Sequence, residues 1–135
     1  MISFVSILSI CSEAFASPQR IECPKVLPDK AIRLQATADG WKPHKSAPMK
    51  LNSAAPTGGP PEMQADLAEF TTTRSKTART DVYDLRPPNP DGVWIKCGYG
   101  KANEITLHKR LDTTITRCTI TQNMSSASEI NILCT

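Results

Sequence analysis

The sequence is poor in the groups that most enzymes use. It has two histidines and seven aromatic residues in 135. It has no Ser nucleophile motif, no glycine-rich phosphate cradle and no acidic cluster with the spacing of a metal loop. No Cys-x-x-Cys occurs, and the spacings of 74, 21 and 16 between Cys23, Cys97, Cys118 and Cys134 do not match a paired zinc-knuckle pattern. These absences argue against an enzyme, and no cofactor or metal is expected. Long like-charge blocks are also missing, as are basic residues interleaved with stacking aromatics, so a dedicated nucleic-acid binder is not expected. The longest apolar run, Ile2 to Ile10 with serines inside it, is far short of the roughly 20 residues a membrane helix requires.

That run has a different use. MISFVSILSICSEAFA ends in Ala14-Phe15-Ala16, the small-x-small pattern of a secretory cleavage site. No Lys or Arg precedes it; a longer natural leader would supply one. Residues 1–16 are therefore assigned to a signal peptide and residues 17–135 to a single exported domain. The protein is expected in the periplasm, not inserted in the membrane once the leader is removed. Loss of residues 1–16 removes Glu13 but no cation, leaving sixteen basic residues against twelve acidic ones, a net +4.

Cleavage also changes the cysteine arithmetic. Cys11 leaves with the leader, and the even set Cys23, Cys97, Cys118 and Cys134 remains. In a small exported chain such a set reads as a disulfide framework. Four cysteines allow three pairings. A hairpin centred near Ser125 would bring Cys118 almost opposite Ile132, and a small register change or bulge would bring it to Cys134. Cys118–Cys134 is the pairing chosen on that ground, which leaves Cys23–Cys97. In the chain-entropy model the two bridges contribute about 3 and about 4.5 kcal/mol.

Proline and glycine divide the remainder. AIRLQ, residues 31–35, reads as a short strand. Residues 36–61 carry five prolines and read as loop, with Trp41 folded back on the core and a short strand in MKLN near Met49. Residues 61–70, PEMQADLAEF, place Met63, Leu67 and Phe70 on one helical face. Residues 71–80 read as a mobile polar loop. Beyond Thr80 the period becomes two, with strands expected at 81–86, 93–99, 104–111, 113–121 and 130–135. Their close spacing predicts antiparallel pairing. Large side chains on both faces of 93–99 suggest a sandwich or curled sheet. The expected fold is mainly β, a small antiparallel sandwich or curled sheet with one short helix and disulfide staples. Trp94 is assigned to the core, His108 to a solvent-facing strand position, and His44 to the surface.

The order of the motifs Cys23-Pro24, Gly40-Trp41, Gly59-Pro60-Pro61-Glu62, Trp94-Ile95-Lys96-Cys97-Gly98-Tyr99, Cys118 and Cys134 resembles a family of small exported proteins of Gram-negative bacteria. Members look like periplasmic immunity proteins, encoded beside type VI secretion effectors of altered L,D-transpeptidase fold. The chain departs from the pattern in the strand before Trp94, where DVYDLR supplies only Tyr83. The resemblance implies a protein that binds a cognate peptidoglycan-targeting effector and blocks its active-site cleft. The contacts expected are Pro61 and Glu62, Tyr83, and the turn Lys101, Ala102 and Asn103. An inhibitor of host or phage lysozyme is the second reading, and a minor cell-wall enzyme the third.

Overall fold

The computed structural model describes residues 17–33, 38–45 and 47–135; the expected leader, residues 1–16, lies outside them. Among the described residues, nine strands form two antiparallel sheets. They are β1 (Gln19–Ile21), β2 (Val26–Leu27), β3 (Met49–Thr57), β4 (Thr71–Arg74), β5 (Ala78–Asp84), β6 (Trp94–Tyr99), β7 (Ile105–Arg110), β8 (Arg117–Asn123) and β9 (Ile130–Cys134). The first sheet runs β1-β9-β8-β5-β4 and the second β2-β3-β6-β7. The chain is mainly β, as the period-two patterning predicts.

The sheets pack face to face. Ile21, Ile120, Ile132 and Tyr83 from the first sheet meet Leu51, Ile95 and Tyr99 from the second in one buried cluster. Ile95 and Tyr99 are fully buried on one face of β6, while Trp94 and Lys96 stand on the other. Period-two alternation therefore divides β6 into a core face and an outer face.

Both disulfides form as expected: Cys23 with Cys97, and Cys118 with Cys134. The hairpin of β8 and β9 has Cys118 directly opposite Cys134, two residues from the register predicted for Ile132. A slip of two keeps every side chain on its face. Arg117 and Thr135 exchange both backbone hydrogen bonds, so the next pair along is a non-hydrogen-bonded one. Such pairs bring α-carbons closest, and here they are 4.1 Å apart.

Four expectations between residues 29 and 80 are corrected. Asp29–Ala31 form one 310 turn, and Ile32 and Arg33 are not in a strand; the rest of the AIRLQ segment lies outside the described residues. The presumed loop around MKLN is instead a nine-residue strand that runs through Pro56. Proline is tolerated there because its missing N–H points away from β6, on a side that β2 does not reach. The expected helix 61–70 shrinks to a 310 turn, Pro61–Met63, ended by Gln64 in the left-handed region at φ 50°. The chain then runs back along β3, with Gly58 donating to the Ala65 carbonyl and Asp66 bridging to Thr57. Finally, the expected mobile loop 71–80 is a hairpin of β4 and β5, with register Thr72 to Asp81 and Thr73 to Thr80. Its turn is closed by Ser75, whose hydroxyl accepts from the amides of Thr77 and Ala78. Polar, threonine-rich composition hid a two-sided strand pair.

Trp41 is also corrected: it is 75 % exposed and is not among the core residues. Trp94 is half-buried on the outer face.

Candidate functional site

The outer face of the second sheet gathers most of the sequence-expected contacts. Cross-strand register sets Ser53, Ala55 and Thr57 of β3 beside Gly98, Lys96 and Trp94 of β6, and these beside Thr106, His108 and Arg110 of β7. Directly opposed residues share a face, so these nine positions form one surface. Its middle is low because Ala55 and Gly98 are small.

The segment 60–66 rims this surface. Lys96 reaches over Ala55 to form an ion pair with Asp66. Thr57, Pro60, Pro61, Gln64, Ala65, Asp66, Lys96, Thr106 and His108 line a depression of about 290 Å³. Pro61 and Glu62 are exposed in the 310 turn at its edge. At the other end, Lys101, Ala102 and Asn103 form the exposed turn between β6 and β7. Asn103 adopts φ 56°, and its Oδ1 accepts from Asn52 Nδ2 at 3.2 Å and Ser53 Oγ at 2.9 Å. That network sits over Gly98. A Cβ there would lie 2.7 Å from Ser53 Oγ, so glycine is what lets the turn fold down on the sheet.

Tyr83 does not join these segments. It lies on the core face of β5, 4 % exposed, with its ring 4.8 Å from that of Phe70. Tyr83, expected as a partner contact, is therefore buried and separate from the other expected contacts. Its hydroxyl pKa is raised, first by burial and then by Asp81.

His108 is half-buried rather than solvent-facing, because the rim of residues 60–66 leans toward it. Its Nε2 lies 3.1 Å from Thr106 Oγ1, and its Nδ1 is buried without a hydrogen-bond partner among the described residues. Burial pushes its pKa below the ordinary value, Lys96 pushes the same way, and Glu62 and Asp66 push back. A histidine with a depressed folded pKa binds protons more readily when unfolded, so its contribution to stability is present above the unfolded value and is lost as pH falls through the folded one. Titration of His108 by NMR is expected to give a midpoint below 6.5. Asp66→Asn should lower that midpoint further and Lys96→Met should raise it. A midpoint that ignores both substitutions would contradict this placement.

The hydroxyl beside a base on this surface is that of Thr106, next to His108 Nε2. Both pairs of cysteines in the described chain are oxidised, and Cys97 faces the core. Among the described residues no group of three or more His, Cys, Asp or Glu is placed to hold a metal ion, and no helix is long and apolar enough to cross a membrane. What the arrangement offers is a stiff, mixed-charge surface with an aromatic at one end.

The sequence-expected residues 61–62 and 101–103 lie at the two ends of this surface, and its centre carries none of them. Lys96, Thr106, His108 and Ala55 share a face only through sheet register, which the sequence of each strand alone does not specify. The alternation of Trp94, Lys96 and Gly98 was the one visible clue.

Residues 44–135 match a family model described as Type VI secretion system Tli immunity protein. The span includes the motifs around Pro60-Pro61-Glu62 and Trp94 to Tyr99 together with Cys118 and Cys134, whereas Cys23-Pro24 and Gly40-Trp41 fall outside it. No curated protein and no solved structure matches the chain.

Proposed function

The chain belongs to the type VI secretion system Tli immunity protein family, and from that premise we propose that it neutralises a peptidoglycan-targeting effector by covering the effector's active-site cleft in the periplasm. The family match over residues 44–135 carries the immunity role. The finer parts rest on the resemblance to partners of L,D-transpeptidase-fold effectors, on the oxidised cysteine pairs, and on the leader-like residues 1–16. Disulfides require an oxidising compartment to persist, and peptidoglycan lies in that compartment. The protein acts by binding and not by turnover. A rigid scaffold suits this, since a pre-ordered surface loses little entropy on association.

Co-expression with the effector encoded in the neighbouring reading frame tests the proposal. The full chain should protect cells from an effector directed to the periplasm, and a chain lacking residues 1–16 should not. In vitro, the purified protein should stop release of peptidoglycan fragments at about one equivalent per effector. Protection against an effector that spares peptidoglycan would leave the immunity role standing and remove the cell-wall target. Absence of any complex would remove the immunity role itself.

A further inference from the structure

Four strands end the two sheets, and they are not alike. β1 has three residues, β2 two and β4 four. Short edges of this kind are a common protection against unwanted pairing. β7 is different. It has six residues, ITLHKR, and pairs with β6 at all six positions without a register shift. It contains neither proline nor glycine, and no strand or loop among the described residues pairs with its far side.

The direction of its free backbone groups can be deduced. Leu111 donates to the Val93 carbonyl in the same register as the β6–β7 ladder. Hydrogen-bonded pairs alternate along an antiparallel ladder. Lys109, Leu107 and Ile105 therefore spend their backbone groups on β6. Thr106, His108 and Arg110 present their N–H and C=O groups outward. The side chains of the same three residues stand on the outer face, where Thr106 and His108 border the 290 Å³ depression.

We propose that the outward edge of β7 is the effector-docking edge, where an extended segment of the effector adds as a fifth strand to the second sheet. The inference rests on the immunity reading and names its contact surface. Main-chain pairing would supply the affinity and alternate side chains the selectivity. One set of incoming side chains lies beside Ile105 and Leu107, the latter 40 % exposed, and is apolar. The other set lies over the outer face beside His108 and Arg110, and carries carboxylates. Lys109 and Arg110 make no ion pair among the described residues, so both are available to an acidic partner. The same charge pattern argues against a second copy as occupant. Its β7 offers no carboxylate, and parallel self-pairing sets cation against cation. The segment 60–66, held by the Lys96–Asp66 pair, borders the added strand's outer side chains at the depression.

The experiment uses the full mature protein and the purified neighbouring-frame effector. Thr106→Pro removes one outward N–H and adds ring bulk at an edge position where proline is compatible with a strand. Affinity for the effector is expected to fall about 10- to 100-fold, as for loss of a buried hydrogen bond whose partner is left unsatisfied. Thr106→Val keeps the N–H and should change affinity less than about threefold by the same reasoning. Hydrogen exchange on the unsubstituted protein covers the case in which Thr106→Pro fails to fold. The amides of Thr106, His108 and Arg110 should exchange freely in the isolated protein and become protected in the complex. A complex in which those amides stay unprotected overturns the docking edge while leaving immunity intact. Protection of the same amides in a dimer of the isolated protein overturns it in favour of a second copy. Failure of the unsubstituted protein to bind the effector overturns the immunity reading and this inference with it.

Discussion

Replacing Cys23 and Cys97 together by serine is expected to lower the free energy of unfolding by about 4.5 kcal/mol. The bridge closes a loop spanning 74 residues, so its removal returns much conformational freedom to the unfolded chain. The folded state has its own reasons to suffer. Cys23 lies between β1, which belongs to the first sheet, and β2, which belongs to the second. Each of those strands is only two or three residues long and holds its place through few ladder bonds. The bridge to Cys97 anchors the crossover to the central strand β6. Domains of this size are stable by about 5–15 kcal/mol in total, so the loss removes a large part of what holds the fold. Denaturant titration of the oxidised protein and the double variant measures it. A difference under about 1 kcal/mol would mean that the N-terminal segment is fixed by packing alone. Loss of the Cys118–Cys134 bridge, whose cysteines are 16 residues apart, should cost less, about 3 kcal/mol.

Ile95→Ala is expected to cost about 2–5 kcal/mol, the range for deleting a large buried aliphatic side chain. Ile95 is fully buried on the core face of β6, opposite Pro56 and next to the core face position of Cys97. Both neighbouring strands are in place on either side, so the sheet has little freedom to close over the space left behind. The high end of the range is expected for that reason. Thermal and chemical unfolding of the variant provide the check. Because Ile95 points away from the outer face, effector affinity of the folded variant should change little. A large loss of affinity at unchanged fold would place the binding surface elsewhere than the outer face and edge of the second sheet.

The sequence was most legible where the period was clean. Val93 to Tyr99 read as a strand with a core face, and β6 is that strand. The late hairpin was legible too, together with its disulfide, because β-branched alternation and a polar turn confine the register to a few choices. The middle of the chain was not. Residues 71–80 are almost all polar, and β4 and the start of β5 look like loop until β4 pairs with β5 and β5 with β8, whose Thr119, Thr121 and Asn123 are just as polar. Residues 61–70 had a helical spacing of Met63, Leu67 and Phe70, but Leu67 packs on the core cluster while Phe70 only covers Tyr83 from outside. Met63 is 49 % and Phe70 40 % exposed. A competing tertiary interaction decided this: Asp66 bridges Thr57 and pairs with Lys96, and a helix would have broken both contacts.

By itself, then, the amino-acid order determined the chemistry of this protein: four cysteines beyond residue 16 suited to staples, alternating strands in the second half, and a shortage of catalytic groups. Those properties are local, depending on each residue and its near neighbours along the chain. Only the tertiary structure decided which residues share a surface. Pro61 and Asn103 flank one face while Tyr83 is withdrawn into the core, and Thr106, His108 and Arg110 face outward on an edge that no other strand pairs among the described residues. The physical reason is that strand order and register are set by long-range packing of two sheets, and a strand's sequence does not specify whether it lies at a sheet's centre or at its rim.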